Sequence, residues 1–428
     1  MAMTITEKIL AYNSGLEEVK PGDLVSPEVS VFLTHDVLGP DVADIFNRDF
    51  KEEFGKVWNN KRIVVTPDHF IPCCDVNVAN RMVRLRKFVK EQNIVNFYPE
   101  GIHGVCHEML AQEGFDLPGY VIVGTDSHTD TGGAHGLFST GIGTTAGACV
   151  AASGVYPLLE VPESMKLTYD NKLPEGSYSK DLILKTLGEI GAKGALKKAM
   201  EFEGKAIEYL SLDQRRTICN MAVEGSAING IIAPDEKVEY YVANAPKHKG
   251  LPKPKYFKSD KDANYSKILE FDAGQIEPQV SVNYLPADAV PVTKVEGQKV
   301  DQAFIGSCTN GKWEDMETAA DYLEGRKVSK GTRLIIIPAT QKIWYRALEE
   351  GLLDTFYKAG ASVSTPTCGP CLGGHMGVLG KGERCISSSN RNFRGRMGDS
   401  ESFVYLASPA TVAVSAVEGK IADPRRYL

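Results

Sequence analysis

Short apolar runs alternate with amphipathic segments along the first third of the chain. Residues 29–33, 62–65 and 120–124 have the largely apolar character of buried strands, whereas residues 82–92 repeat with the period of a basic amphipathic helix. Strands that alternate with helices indicate an α/β fold. Polar segments follow two of these strands, at residues 66–69 (TPDH) and 125–129 (TDSHT). Functional side chains of α/β proteins tend to collect at such carboxyl ends of strands.

The pattern changes twice further along the chain. A new strand is predicted at residues 165–169, followed by a polar turn and a helix over residues 179–190 with Ser179 as its N-cap. A linker-like stretch with two prolines covers residues 285–298, after which strand patterns resume at 303–305 and 334–337. These changes predict three α/β domains, with boundaries at 1–163, 164–289 and 290–428.

Composition narrows the class of protein. The 428 residues are 43% hydrophobic and 24% charged, which is typical of a globular protein. A net charge of −7 favours neither nucleic acid nor an anionic membrane as a partner, and no apolar run approaches the length of a membrane span. The first residues lack the basic and apolar blocks of a signal peptide, so a cytoplasmic location is expected.

The nine cysteines are an odd number, which in a reducing compartment favours thiols or metal ligands over disulfides. Cys368 and Cys371 form a C-x-x-C motif, and Cys308 follows an apolar strand. A zinc site would need a fourth ligand, for which His375 is a candidate, and a thioredoxin-like redox pair fits poorly with the two glycines that follow the motif. The other cysteines weighed are interpreted as structural thiols: Cys73, Cys74, Cys149, Cys219 and Cys385.

Four segments resemble the aconitase superfamily. They are residues 124–129 (GTDSHT), 306–311 (GSCTNG), 367–375 (TCGPCLGGH) and 389–396 (SNRNFRGR). Because they stand in the family's order, the resemblance covers essentially the whole chain. It implies three α/β domains around a central [4Fe–4S] cluster held by Cys308, Cys368 and Cys371. Three cysteines leave one iron without a protein ligand, free to bind a hydroxyl and a carboxylate of the substrate as a Lewis acid.

The resemblance also implies catalytic roles. Asp68 and His69 match the pair that helps hydroxide leave, while Asp126, Ser127 and His128 match a segment that contacts the cluster water or the substrate.

Further roles follow from the same resemblance. His107 matches a histidine near the active centre, whereas its neighbour His103 is expected at the surface. Asn220 would hydrogen-bond the cluster, and Glu224 would bind substrate or water. Their i, i+4 spacing predicts that both lie on one face of a helix.

Arg391 and Arg396 are the candidates for binding substrate carboxylates, because a guanidinium meets a carboxylate with two hydrogen bonds. Asn390 would contact the cluster or substrate beside them. The remaining arginines considered are expected in solvent: Arg215, Arg216 and Arg394.

The end of the chain implies a partner. Single-chain aconitases continue into a mobile domain that supplies a serine base, but this sequence ends like the large subunits of isopropylmalate and homoaconitate hydro-lyases. A small subunit with the swivelling domain is therefore expected to bring the base. The expected substrate is a hydroxy-di- or tricarboxylate, first isopropylmalate, with homoaconitate, citrate-like, citramalate and dimethylmalate substrates as alternatives.

One segment departs from the resemblance, and two other classes of protein remain open. Asp130, Gly132, Gly133 and His135 do not match the isopropylmalate type, which leaves the substrate less certain than the reaction. An RNA-binding regulator on the same scaffold is disfavoured by the net charge of −7. An inactive structural protein would have no need of the acid and anion-binding residues.

Overall fold

The first part of the chain forms a parallel five-stranded sheet in the computed structural model, which describes residues 2–428. Its strand order is β4-β3-β2-β5-β6, and β1 pairs separately with β7 in an antiparallel ribbon. The strands are β1 Leu24–Val25, β2 Val31–Thr34, β3 Ile63–Val65, β4 Asn96–Phe97, β5 Val121–Gly124, β6 Phe138–Gly141 and β7 Leu159–Glu160. The helices are α1 Ile5–Asn13, α2 Gly39–Ile45, α3 Lys51–Phe54, α4 Val76–Gln92, α5 Cys106–Gln112 and α6 Thr144–Ser153, with a π-helix at Phe46–Phe50 and a 3₁₀ segment at Ser127–His135.

A second parallel sheet of four strands follows, in the order β10-β9-β8-β11. Its strands are β8 Ser164–Asp170, β9 Ala199–Glu203, β10 Asn229–Ile232 and β11 Lys267–Asp272. Its helices are α7 Ser179–Ile190, α8 Lys205–Tyr209, α9 Leu212–Asn220 and α10 Glu236–Asn244, with 3₁₀ segments at Ala222–Gly225 and Ala273–Gln275.

The third sheet has seven strands in the order β13-β12-β18-β17-β14-β15-β16, and it is parallel except for the two added strands at one edge. Its strands are β12 Gln279–Ser281, β13 Ala289–Pro291, β14 Gln302–Ile305, β15 Arg333–Ile336, β16 Ser362–Val363, β17 Arg384–Ser387 and β18 Phe403–Leu406. Its helices are α11 Ser307–Asn310, α12 Trp313–Leu323, α13 Gln341–Glu349, α14 Leu352–Ala359 and α15 Pro409–Glu418, with 3₁₀ segments at Val292–Lys294, Gly369–Leu372 and Pro424–Tyr427.

The α/β fold predicted from the sequence is confirmed, while the three domain boundaries stay a prediction. Two local predictions are wrong. Ser179 is the first residue of α7 rather than its cap, because the backbone N–H of Tyr178 binds the Asp181 carboxylate at 2.8 Å. Helix α9 ends at Asn220, so Glu224 lies in a separate 3₁₀ turn and not on the same helix face.

Strand register brings the polar segments together. Leu33 of β2 pairs with Val64 of β3 on one side and with Gly124 of β5 on the other, so the three strands end side by side. In the third sheet β14 lies next to β17, with Phe304 opposite Ser387. The loops after these two groups of strands carry most of the predicted site. Within residues 2–428, no helix has the length and apolar character needed to cross a membrane.

Candidate active site

The first cysteine loop makes a sharp turn directly after β14. Gly306 has φ +155°, and a Cβ there would lie 2.9 Å from the carbonyl oxygen of Ile337 and from the ring of Phe304. Ser307 follows with φ +72°, a left-handed conformation that ordinary residues seldom adopt. This turn begins the short helix α11 with Cys308 as its second residue. The position of the thiol therefore depends on a glycine that the packing demands.

The three predicted cysteines lie around one cavity. Cys308, Cys368 and Cys371 are each only 6–7% exposed. The side-chain amides of Asn220 and Asn390 donate to the Cys308 sulfur at 3.2 and 3.3 Å. Two N–H groups aimed at one sulfur suit a thiolate and tune the potential of a cluster bound to it.

Burial disfavours the thiolate form of these cysteines when no metal is bound. It raises the pKa of Cys308 to about 12, with Cys371 acting in the same direction. Burial likewise raises the pKa of Cys368 well above its usual value. Such thiols lose their protons when a strong positive charge lies close to them, as happens to thiol ligands when a metal binds.

The spacing of the sulfurs argues against a single small ion. Four sulfurs around one zinc would lie about 3.8 Å apart, given a Zn–S bond of about 2.3 Å. The group of potential ligand atoms within 4.8 Å of one another among residues 2–428 contains no cysteine. His375 is not a fourth ligand, because its ring nitrogens face the Pro72 carbonyl at 2.9 Å and the Thr367 hydroxyl at 3.2 Å. The donor set fits a cluster better than zinc.

Two aspartates at the carboxyl ends of β3 and β5, Asp68 and Asp126, hold the side chains of His69 and His107. His69 Nδ1 lies 2.6 Å from Asp68 Oδ1, and His69 Nε2 lies 3.4 Å from Asp126 Oδ2. His107 Nε2 contacts the other oxygen of Asp126 at 3.1 Å. Burial would lower the pKa of His69, but the Asp68 carboxylate and its neighbours raise it well above the usual value. These contacts therefore favour the protonated imidazolium of His69, the form that is able to give up a proton.

Asp126 is the centre of this network. Burial would raise its pKa, yet hydrogen bonds from His107, His128 and His69 hold the pKa well below its usual range. The backbone N–H of His128 also donates to Asp126 Oδ1 at 2.8 Å. A permanently ionised carboxylate thus orients three histidines toward one cavity.

A second carboxylate joins the first domain to the third. Glu224 Oε1 lies 2.7 Å from His128 Nε2 and accepts a hydrogen bond from Arg391 Nε at 2.8 Å. Arg391 and Arg396 line a second cavity that adjoins the first and shares His69, Asp126 and His128 with it. Ser127 lines the same second cavity. The predicted acid, anchor and cysteine residues are therefore brought together by three sheets.

The model of the Aconitase family (aconitate hydratase) matches residues 25–297 and 292–419. The chain belongs to the aconitase family. Its relatives include the 3-isopropylmalate dehydratase large subunit 1 of Methanopyrus kandleri, 47% identical over 100% of both chains. The large subunit of Desulfitobacterium hafniense is 49% identical over 100% of both chains, and large subunit 1 of Pyrococcus furiosus is 48% identical over 100% of this chain and 99% of that one. The holo-form of Thermococcus kodakaraensis aconitase X overlaps with a TM-score of 0.49 and 12% identity, covering 91% of this chain and 93% of that chain, a similarity too low to carry an argument.

Two predictions about surface residues are wrong. His103 is buried, with Nε2 2.8 Å from the Pro366 carbonyl. Arg215 is also buried and forms an ion pair with Asp235, while Arg216 pairs with Glu108 at 3.1 Å. The guanidinium groups of Arg215 and Arg216 form ion pairs with carboxylates inside the protein, and these ion pairs connect the segments that carry the two partners. Arg394 is exposed, as expected.

The cysteines outside the proposed ligand set differ in burial. Cys219 and Cys385 are buried, as their interpretation as structural thiols requires, and Cys73 and Cys149 are half-buried. Cys74 is exposed, so the interpretation as a buried thiol is wrong for this residue. Cys106 borders the cysteine cavity and packs in a core cluster with Val31 and Leu33.

The sequence analysis missed His35 and Asp36, which follow β2. The ring of His35 stacks on that of His69 with centroids 4.4 Å apart, and it lines the second cavity. Asp36 accepts the backbone N–H groups of Asp68, His69 and Phe70 at 2.8–3.1 Å and so shapes the acid-bearing loop. The same signal that found Asp68, a polar pair after a strand, was present here.

The segment that departs from the isopropylmalate pattern packs behind the site. Asp130 accepts the backbone N–H of Val223 at 3.0 Å, one residue before Glu224. A Cβ on Gly133 would lie 1.7 Å from the Gly230 carbonyl, so only glycine permits this approach to β10. Asp130 and His135 are buried, and His135 meets Tyr241 edge-on with ring centroids 4.4 Å apart. These residues pack the first part of the chain against the second.

Proposed function

We propose that this chain is the cluster-bearing large subunit of a 3-isopropylmalate dehydratase, a hydro-lyase of the aconitase family. The observation that carries the proposal is one cavity lined by three buried thiols and by the histidines that Asp126 orients. Full-length relatives at 47–49% identity that are named 3-isopropylmalate dehydratase large subunit support it.

Cys308, Cys368 and Cys371 would hold a [4Fe–4S] cluster, the cofactor typical of this family. When bound, the cluster supplies an iron without a protein ligand, which acts as a Lewis acid on the hydroxyl of the substrate. Asn220 and Asn390 would stabilise the Cys308 sulfur through their amide N–H groups.

His69 serves as the acid in this proposal. Its imidazolium is held between Asp68 and Asp126, and it donates a proton to the departing hydroxide. In the hydration direction the same imidazole takes the proton back from water. His107 and His128 keep Asp126 ionised, so that the charge of His69 is stabilised until it gives up its proton.

Arg391 and Arg396 bind the substrate carboxylates. Both guanidinium groups line the second cavity, where Ser127 adds a hydroxyl. Glu224 fixes Arg391 through its Nε, which leaves the two terminal nitrogens of the guanidinium for a carboxylate. His128 is fixed by the same oxygen of Glu224.

The base that removes the proton beside a carboxylate comes from a small subunit in this proposal. The relatives are named large subunits, which implies a second chain in those enzymes. The resemblance to aconitases assigns the base to a swivelling domain on that chain. Alone, this chain should bind a cluster but catalyse little.

The lining of the second cavity favours isopropylmalate among the substrates of the family. Val37, Leu38 and Ile142 present apolar surface beside the arginines. A branched aliphatic group gains free energy from burial against such residues, whereas a third carboxylate would lose solvation without a matching cation. Homoaconitate and citrate-like substrates are therefore less suited than isopropylmalate, and citramalate or dimethylmalate are the nearest alternatives.

Anaerobic reconstitution tests this function. The chain is loaded with iron and sulfide, combined with a purified small subunit, and assayed on a panel of malate derivatives by the absorbance of the unsaturated product. Turnover of isopropylmalate above the others is expected. No turnover of any substrate by a fully loaded complex would refute the hydro-lyase proposal.

A cysteine variant tests the cluster ligands separately. Cys371→Ser should abolish the visible absorbance of the cluster, whereas the half-buried Cys149→Ser should leave it intact. Equal absorbance in both variants would show that the ligand set is wrong.

A further inference from the structure

Lys180 is a fully buried lysine at the start of α7, on the second domain. Its Nζ donates to the backbone carbonyls of Ser388 and Ser389, each at 2.7 Å, and to Asn310 Oδ1 at 3.2 Å. All three partners belong to the third domain. One of them, Asn310, lies two residues after Cys308, and Ser389 directly precedes Asn390.

The contacts of Lys180 match its protonated form. An ammonium group has three N–H donors and no acceptor, and three acceptors surround Nζ. A neutral amine has only two N–H donors and would leave one of these acceptors without a partner.

Lys180 nevertheless has no anionic partner in the described part of the chain, since no carboxylate of residues 2–428 lies within 4.0 Å of its Nζ. The adjacent Asp181 instead accepts the backbone N–H groups of Tyr178 and Gln279 at 2.8 and 2.7 Å. Lys312, a second buried lysine nearby, has Asp315 at 3.3 Å. A buried ammonium with no carboxylate in direct contact is costly, so further negative charge close to Lys180 stabilises it.

The thiol of Cys308, a proposed cluster ligand, interacts electrostatically with the ammonium group of Lys180. Burial lowers the pKa of Lys180 to about 7, and Lys312 lowers it further, whereas Asp315, Cys308 and Asp181 raise it. A [4Fe–4S] core of charge +2 with three thiolates carries a net charge of about −1, and net charge is among the properties that set the potential of such a cluster.

We propose that Lys180 is a positioning residue and the counter-charge of the cluster: its ammonium group ties the loop after Cys308 to the segment before Asn390 and Arg391 and balances the negative cluster. This inference rests on the proposed function, because it needs the cluster. It adds to that function a residue of the second domain that touches neither substrate nor iron.

The two contacts of Lys180 with backbone carbonyls help to fix the positions of Asn390 and Arg391. Asn390 donates to the Cys308 sulfur, and Arg391 is the proposed carboxylate anchor. With Lys180 fixed between Asn310 and Ser389, the sulfur and the guanidinium keep a constant separation. Loss of Lys180 should therefore raise KM through Arg391 and loosen the cluster through Cys308.

Two substitutions of Lys180 distinguish the effect of its charge from the effect of its hydrogen bonds. Lys180→Gln keeps two of the three N–H donors and removes the charge, and Lys180→Met removes both. Lys185→Met is the matched control, since Lys185 lies on the same helix with a half-exposed side chain that pairs only with Glu189. Circular dichroism establishes that each variant is folded.

The decisive readout is the midpoint potential of the reconstituted cluster, which a purely structural lysine would not move. Removing a positive charge destabilises the reduced, more negative cluster, so both Lys180 variants should show a more negative potential than the wild type. Iron release under air should be at least about tenfold faster, the effect of roughly 1.4 kcal/mol. Lys185→Met should match the wild type.

The outcomes separate the two proposals. A Lys180→Gln chain with the potential and iron release of the wild type would overturn the role of Lys180 and leave the hydro-lyase untouched. A wild-type chain that takes up no cluster would overturn the proposed function and the counter-charge with it.

Discussion

Glu224 offers the sharpest test of the candidate site, because one of its oxygens contacts both His128 and Arg391. Oε1 lies 2.7 Å from His128 Nε2 and 2.8 Å from Arg391 Nε, and its side chain is only 2% exposed. Glu224→Gln keeps the shape of the side chain but removes its charge. The amide oxygen can take the position of Oε1 and still face both donors, but it does so as a neutral acceptor, while the NH₂ group replaces Oε2.

The magnitude follows from these contacts. A hydrogen bond to a charged group contributes about 1.5–3 kcal/mol, and removing one member of a buried ion pair costs about 3–5 kcal/mol. Because Gln keeps the acceptor but removes the negative charge from both hydrogen bonds, we expect a loss of about 3 kcal/mol in transition-state stabilisation. At about 1.4 kcal/mol per factor of ten, kcat/KM should fall by roughly 100-fold.

The assay is hydration and dehydration of isopropylmalate by the reconstituted complex, with cluster content measured in each preparation. KM should rise as well as kcat fall, since Arg391, the proposed carboxylate anchor, loses its fixed position. Glu239→Gln, an exposed glutamate of α10, is the control and should behave as the wild type. A Glu224→Gln enzyme within threefold of wild-type kcat/KM at full cluster content would refute this reasoning.

Two further predictions concern stability. Burial raises the pKa of Asp116 to about 7 from 3.8, so its folded form favours the proton and the protein loses stability as pH rises through that interval. Asp116→Asn should therefore gain stability over the wild type as pH increases, reaching about 4 kcal/mol above pH 7, with no gain near pH 4; urea unfolding at several pH values measures this, and a difference independent of pH contradicts it. Gly133→Ala should cost about 3 kcal/mol because its Cβ would overlap the Gly230 carbonyl. Gly143→Ala has open space around it and should cost no more than about 1 kcal/mol, because Gly143 only caps α6; equal thermal midpoints would contradict the packing argument.

Local pattern predicted β2, β3 and β5 because every residue of these strands is buried, whereas the largely exposed β11 was not predicted. Residues 120–124 read as apolar and form β5, which is covered on all four of its residues. The pairs that follow strands, Asp68 with His69 and Asp126 with Ser127, could be found for the same reason, since register then brings the strand ends together.

Side chains that pair with distant segments of the chain could not be found this way. Arg215 looked like a surface residue on a polar helix, but Asp235 from the next loop neutralises it. Lys180 lies in a helix whose sequence does not reveal that three acceptors of the third sheet surround it. Such burial depends on pairing across distant segments, which a local pattern does not contain. The helix expected through Glu224 failed for a related reason: its carboxylate is held by His128 and Arg391, and the chain turns after Asn220 to reach them.

The contacts at the cavity are distributed unequally among the three sheets. The first supplies the histidines and Asp126, and the third supplies the sulfurs and arginines, while the second contributes Asn220, Glu224 and Lys180, each of which bonds to a residue of another sheet. Asn220 meets Cys308, and Glu224 meets both His128 and Arg391. The second sheet thus holds the acid and the anchors in a fixed relation. A partner that brings the base has only to approach an arrangement already in place, which lowers the ordering cost of assembly.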